Sequence, residues 1–199
     1  APAPVVAVVA GAMSKAGVYG IIRVLLGIFP LATAFYADIL SGIALVTILY
    51  GAVCALGAPC LRSILAYSSL SHLGLITLAL AVGGKSGEIG ATLQMFSHGI
   101  ATGGLFLICA ALENRGFTSE LKHLGGLART LPQLAALSLV LAMASLGCPG
   151  LCSFPAELAM LLGVYRASWR MAVLASLGII LAGWYGLRFY QGVWNGPQQ

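Results

Sequence analysis

Four titratable side chains stand where a membrane interior offers them nothing to bond: Lys15, His72, His98 and Glu157. Lys15 lies near the middle of an apolar run over 4–28, His72 in the middle of one over 62–83, and His98 near the middle of one over 88–111. Glu157 follows Pro155 by two residues within a run over 132–166. At 1.5 Å per residue, Lys15 is roughly 16–20 Å along a helix from either end of its run, beyond the reach of a lysine stem. Burying such a charge costs about 2.5–3.5 kcal/mol on insertion scales. Each residue has a bland reading. A single neutral histidine in an apolar helix is commonly a hydrogen-bonded packing residue, and Lys15 with Glu157 could be one structural ion pair. The combination argues otherwise. A base, two imidazoles and an acid at mid-depth on four separate helices have the composition of an intramembrane proton relay. A low dielectric favours the neutral forms of acids and bases alike, which suits groups that load and release protons.

The elements that must position these groups are membrane helices. The chain has 199 residues, 60% of them apolar and 8% charged, with 26 glycines, against about 25% charged in soluble domains. Mean hydropathy is +0.99. Those values exclude an ordinary soluble enzyme, a disordered tail and a nucleic-acid binder. The net charge of +5 comes from scattered residues without a basic tract. Apolar runs at 4–28, 38–57, 62–83, 88–111, 132–166 and 170–190 predict an all-α, polytopic transmembrane bundle of about six helices in one domain over 1–199. Uniform apolarity favours helices over the short alternating strands of a barrel. Connections at Phe29–Pro30, Gly57–Ala58–Pro59 and Gly83–Gly87 are short, so neighbours run antiparallel. Only 112–131 is longer, and it is the most polar stretch.

The fifth run, at 35 residues, would make a continuous helix of about 52 Å. Gly147, Pro149, Gly150 and Pro155 interrupt it, which predicts a discontinuous helix, with a hairpin of two re-entrant pieces as the alternative. Other features carry no chemistry. The five cysteines form no CxxC pair and read as inert buried thiols. Gly84-Lys85-Ser86 lacks the first glycine of a P-loop, having Ala79 in its place. Gly99-x-x-x-Gly103 reads as a helix-packing signal. Nothing in the sequence indicates a catalytic, cofactor-binding or metal site on this chain. Lysine and arginine counts on alternate sides, five against four, leave orientation open.

Several motifs resemble the antiporter-like, proton-pumping membrane subunits of respiratory complex I (NADH dehydrogenase), on the subunit 4 branch. They are Leu61-Arg-Ser-Ile-Leu-Ala-Tyr-Ser-Ser-Leu-Ser-His-Leu-Gly74, Leu93-Gln-Met-Phe-Ser-His-Gly99, Leu121-Lys-His-Leu-Gly-Gly-Leu127 and Ala144-Ser-Leu-Gly-Cys-Pro-Gly150, followed by Phe154-Pro-Ala-Glu-Leu158. They occur in order over residues 1–190, after an opening Ala-Pro-Ala-Pro and Lys15-Ala-Gly-Val-Tyr-Gly20. Departures include Cys60 where many relatives carry Asp and Arg62 where they carry Lys. By motif position the resemblance implies that Lys15, His72, His98 and Glu157 form a proton-translocating axis driven remotely by quinone reduction, with Glu157 as the exchange point near one face. It implies that NADH, flavin, iron–sulfur clusters and ubiquinone sit elsewhere in the complex, with none bound by this chain. The expected partners are other membrane-arm subunits, membrane lipids and a separate chain carrying the N-terminal half of the subunit, not nucleic acid. The expected location is the mitochondrial inner membrane, or alternatively a bacterial plasma membrane. Rival readings are a subunit of a multisubunit Na⁺/H⁺ antiporter or membrane-bound hydrogenase, and a passive structural membrane module.

Overall fold

A computed structural model describes residues 3–196. Among those residues the chain forms eight helices, and its only β-type pairing is an isolated bridge between Cys60 and Glu120. Five helices are long and apolar enough to cross a membrane: α1 (Val5–Leu26), α3 (Ala37–Gly57), α4 (Leu61–Val82), α5 (Gly84–Glu113) and α8 (Trp169–Trp194). The short α2 (Pro30–Phe35) joins α1 to α3. The run over 132–166 is two half-length helices, α6 (Pro132–Ser145) and α7 (Ser153–Ala167), parted by 146–152.

The two half-helices lie end to end along α5 rather than side by side. Leu141 of α6 meets Gly104, Gln94 bonds Glu157 of α7, and Gly90 abuts Met160. Positions descend along α5 as they ascend through α6 and α7, so the broken helix runs antiparallel to its neighbour. Gly147 and Gly150 take positive φ in the break, +64° and +97°, a region that costs an L-residue with a side chain about 1–2 kcal/mol. Pro149 lies in the break, but Pro155 does not interrupt the helix. It is the third residue of α7, where its missing N–H would have had no partner within the helix in any case.

Lipid, unlike water, gives apolar side chains no reason to cluster, so tight packing depends on small residues. On α3 the exposed positions are large and apolar, Ile39, Ile43, Val46, Tyr50 and Val53, while the buried stripe is mostly small: Ser41, Ala44, Gly51, Ala52 and Ala55. At Gly51 an added Cβ would sit 2.8 Å from the Ser71 amide nitrogen of α4, and Ser71 Oγ donates to the Ile48 carbonyl at 2.9 Å. Gly83 alone separates α4 from α5. A side chain there or at Gly87 would meet the Ala79 carbonyl, which explains why α5 begins at Gly84, earlier than its polar Gly-Lys-Ser-Gly opening suggests.

One face of the bundle collects the ends of α3, α5 and α8 and the starts of α4 and α6. The polar segment 114–131 lies across it. Leu61 N–H donates to the Ser119 carbonyl, Leu121 N–H to Pro59, and Ala128 N–H to Trp194. Arg62 and Glu113 pair there. Backbone that would go unsatisfied in lipid is satisfied by these strand-like contacts at the rim. Gly51→Ala should force α3 from α4 and cost roughly 1–3 kcal/mol. Gly42→Ala, whose Cβ meets nothing within 4 Å, should not. Paired thermal melts of the detergent-solubilised protein check this, and equal midpoints would refute the close crossing.

Candidate functional site

Each of the four mid-run titratable residues faces inward. Lys15, His72 and Glu157 are 4–5% exposed and His98 is fully buried. They stand on α1, α4, α7 and α5 respectively. His72 is ten residues from the end of α4, about 15 Å, and His98 is similarly deep in α5.

Three of the four meet. The His72 and His98 rings lie 4.7 Å apart between centroids, tilted by 41°. His72 Nδ1 is 3.7 Å from Glu157 Oε1, an ion pair whenever the imidazole carries a second proton and the acid is ionised. The same carboxylate oxygen accepts from Gln94 Nε2 at 3.2 Å, and Gln94 Oε1 accepts from Ser97 Oγ at 3.1 Å. On the far side of His72, Nε2 lies 3.5 Å from Tyr185 Oη of α8. His98 Nε2 lies 3.3 Å from Ser69 Oγ and 3.1 Å from Thr102 Oγ1. The result is a polar chain crossing α4, α5, α7 and α8, in which each titratable group has a partner able to give or take a proton. An unpartnered group here would cost about 1–3 kcal/mol or more.

Lys15 comes near this chain without joining it. Its Nζ donates to the Ala10 carbonyl at 2.6 Å, and Ser14 Oγ donates to the same oxygen at 2.8 Å. The turn that presents Ala10 is a π-helical segment, Val9–Met13, and a second one covers Ile21–Leu26. Such wide turns recur at functional positions. The lysine is brought close by small residues. Gly11 of α1 packs on Gly99 and Gly103 of α5, and a Cβ at Gly99 would be 2.9 Å from the Gly11 carbonyl and 3.9 Å from Lys15 Cε. The lysine stem therefore passes α5 one residue from His98. The Gly99/Gly103 spacing serves this intramolecular crossing. Beside it runs an apolar groove of about 610 Å³, with Lys15 in its wall.

Glu157 owes its position to the break. It is the fifth residue of α7, and its carboxyl group fills the space where a side chain on Gly147 would lie. Ser153, one turn earlier, is the one buried side-chain hydroxyl among the described residues with no partner. The sequence reading did not single out Gln94, Ser69, Ser97, Thr102 or Tyr185. Four of the five have a signal, because Gln94 and Thr102 sit one helical turn either side of His98, Ser97 precedes it, and Ser69 precedes His72 by three. Tyr185 has none: an aromatic toward the end of an apolar helix reads as interfacial. The five cysteines are all unpaired. Among the described residues no His, Cys, Asp and Glu cluster could hold a metal ion.

Known membrane subunits share this chain's sequence and fold. The profile of the family described as NADH:quinone oxidoreductase/Mrp antiporter, TM, matches residues 1–182. Subunit M of NADH-quinone oxidoreductase from Pseudomonas aeruginosa is 34% identical over 96% of this chain. NAD(P)H-quinone oxidoreductase chain 4 2 from Microcystis aeruginosa is 38% identical over 98%. The chain spans 37% of the length of each of these curated relatives. In respiratory complex I from Thermus thermophilus with bound NADH, one chain superposes with a TM-score of 0.88 at 37% identity, over 93% of this chain and 40% of that one. A chain of the membrane-bound sulfane sulfur reductase, an archaeal respiratory membrane complex, gives 0.89 at 28% identity, over 96% and 33%.

Gly147→Ala combines backbone strain with a collision against Glu157, whereas Gly150→Ala adds strain alone, its Cβ meeting nothing within 4 Å. The former should cost more stability than the latter by about 1–3 kcal/mol and should shift the carboxyl infrared band of Glu157. Identical melts and an unmoved band would contradict the contact.

Proposed function

The chain belongs to the NADH:quinone oxidoreductase/Mrp antiporter membrane family, and from that premise we propose that it is the C-terminal, proton-translocating part of a subunit 4-type antiporter-like subunit. Its place is the membrane arm of an NADH:ubiquinone oxidoreductase. The observation that carries this reading is the buried contact chain of His98, His72 and Glu157 on three helices, with Lys15 at its edge. Protons pass between Lys15 and the histidine pair through water, then between His72 and Glu157. Glu157 exchanges with one face beside the helix break, and Gln94 steadies its carboxylate through each change of charge. The driving force is quinone reduction elsewhere in the complex, where NADH, flavin, iron–sulfur clusters and ubiquinone reside. This chain contributes no redox chemistry of its own.

The membrane is an energy-coupling one, the mitochondrial inner membrane or a bacterial plasma membrane. Further helices of the membrane arm cover α1. In support, α1 is the least enclosed of the long helices, with Val5, Val8, Met13 and Tyr19 all exposed. Other membrane-arm subunits and lipids complete the surroundings. A second reading, a subunit of a multisubunit Na⁺/H⁺ antiporter or membrane-bound hydrogenase, draws support from the likeness to the archaeal complex. A passive structural module is disfavoured by the gathering of three titratable groups in mutual contact at mid-depth, where a single polar pair would serve a scaffold.

Lys15→Ala and Glu157→Ala should each cut proton-coupled quinone reductase turnover to less than half while the complex still assembles. Normal coupled rates in both would refute the relay. Crosslinking from Met13→Cys in the purified complex should capture a membrane-arm protein segment. Capture of lipid alone would refute that covering, and co-purification without NADH-oxidising subunits would favour the second reading.

A further inference from the structure

Two small cavities lie near His72, one against its ring and one reached through Tyr185. One, of about 20 Å³, is lined by Ser68, Ser145 and Tyr185 together with Ile64, Leu105 and Phe189. The other, of about 10 Å³, has Ser71 and His72 as its polar wall amid Ile48, Leu75 and Gly178, and the Ser71 hydroxyl is already committed to the Ile48 carbonyl. A water needs about 10–15 Å³ and two to four polar partners. The first cavity is large enough and has three hydroxyl groups in its wall; Ser68 Oγ donates to the Leu65 carbonyl at 2.8 Å and can still accept from a water. The second sits at the lower limit of size.

The two cavities lie toward opposite faces. Ser68 is one turn from His72 toward the start of α4, and Ser145 ends α6 beside the break. Phe189 is one turn beyond Tyr185 toward the end of α8. The α4 and α8 directions lead to the face crossed by 114–131, while Ser145, at the far end of α6 from that face, marks the depth of the break. The second cavity is walled by Ala175, Gly178 and Ile179, in the half of α8 nearer its start at Trp169.

We propose that Tyr185 is a proton-relay residue, which passes protons between His72 and a water held by Ser68 and Ser145, and so opens the histidine pair toward the face covered by 114–131. This deepens the relay reading above and rests on it. Tyr185 Oη lies 3.5 Å from His72 Nε2, and Tyr185 also lines the cavity shared with Ser68 and Ser145. When His72 is an imidazolium, with both ring nitrogens protonated, its Nε2–H donates to Oη. The tyrosine hydroxyl in turn donates to the water. A hop moves the Nε2 proton to Oη as the Oη proton moves to the water, so Tyr185 is regenerated and one positive charge is displaced. The rest of that cavity wall is apolar, with Ile64, Leu65 and Phe189 among its residues.

The test uses the whole complex. Tyr185→Phe keeps the ring and removes only the hydroxyl, and Ser145→Val fills the cavity with methyl groups. Each should lower coupled kcat about five-fold, the rate equivalent of one net hydrogen bond lost at the barrier. The KM for quinone should not move, and the H₂O/D₂O rate ratio should rise. Ser71→Ala, at the smaller cavity on the other side of His72, should leave kcat and the isotope ratio unchanged. Unaltered kcat and isotope ratio in Tyr185→Phe, in a complex that Glu157→Ala uncouples, would overturn this proposal alone. Unaltered behaviour in both would overturn the relay as a whole. If Tyr185→Phe fails to assemble, Ser145→Val carries the test by the same criteria.

Discussion

An ionisable group in the middle of a bilayer must find its partners inside the protein, and the architecture of this chain follows from that requirement. Water would satisfy Glu157 or His72 at a surface without cost. Hydrocarbon does not, and each uncompensated charge there costs several kcal/mol. Compensation comes from neighbouring helices: Gln94 from α5 and His72 from α4 meet Glu157, while Tyr185 from α8 faces His72. None of the four helices could hold its polar residue alone. Mutual satisfaction of these groups is therefore also an interhelical adhesive, in a solvent that supplies no hydrophobic drive between helices.

Partners at hydrogen-bonding distance require helices closer than leucine-rich surfaces permit, which is the work of the small residues. Gly90 of α5 lets Ala156 and Met160 of α7 approach its backbone, one turn from Gln94 and its carboxylate partner. Gly11, Gly99 and Gly103 do the same for α1, setting the Lys15 stem beside the turn that carries His98. A sequence with 26 glycines in 199 residues would be a poor helix former in water. In a bilayer the backbone has no alternative partner, so the propensity penalty loses force and the gain from close approach prevails.

The crossings, the break and the depth of the four titratable residues were legible in the sequence because each depends on length and local chemistry. Apolar runs near membrane thickness identify helices regardless of partners. Gly147, Pro149 and Gly150 announce a discontinuity through backbone constraints that hold anywhere. What depends on helix rotation was not legible. Depth alone does not say that His98 stacks on His72 while the Lys15 ammonium turns back to Ala10. The π-helical turn that presents Ala10 carries no signature in residue type. Pro155 was misassigned to the break for a physical reason: proline disrupts a helix interior but fits its first turn, and the distinction rests on where α7 starts. Residues 30–35 were read as a connection and form a helix, with Pro30 at the start where its fixed φ is already suitable.

The break matters most for the direction in which Glu157 points. In an α-helix the Cα–Cβ bond tilts toward the N-terminus, so an acid in the second turn of α7 leans back over the start of that helix. Had α6 continued unbroken into α7, that space would hold a helical turn and its side chains. It holds Gly147 instead, in a conformation that leaves the carboxyl group room. The start of α7 also presents the positive end of a half-helix dipole, which favours the anion. Pro155 removes one backbone donor from a turn that could not have satisfied it within the helix. The discontinuity thus supplies cavity and local field together, and both act on the one acid that touches the histidine pair. A continuous helix bearing the same glutamate would meet the same desolvation cost without the space or the dipole that offsets it.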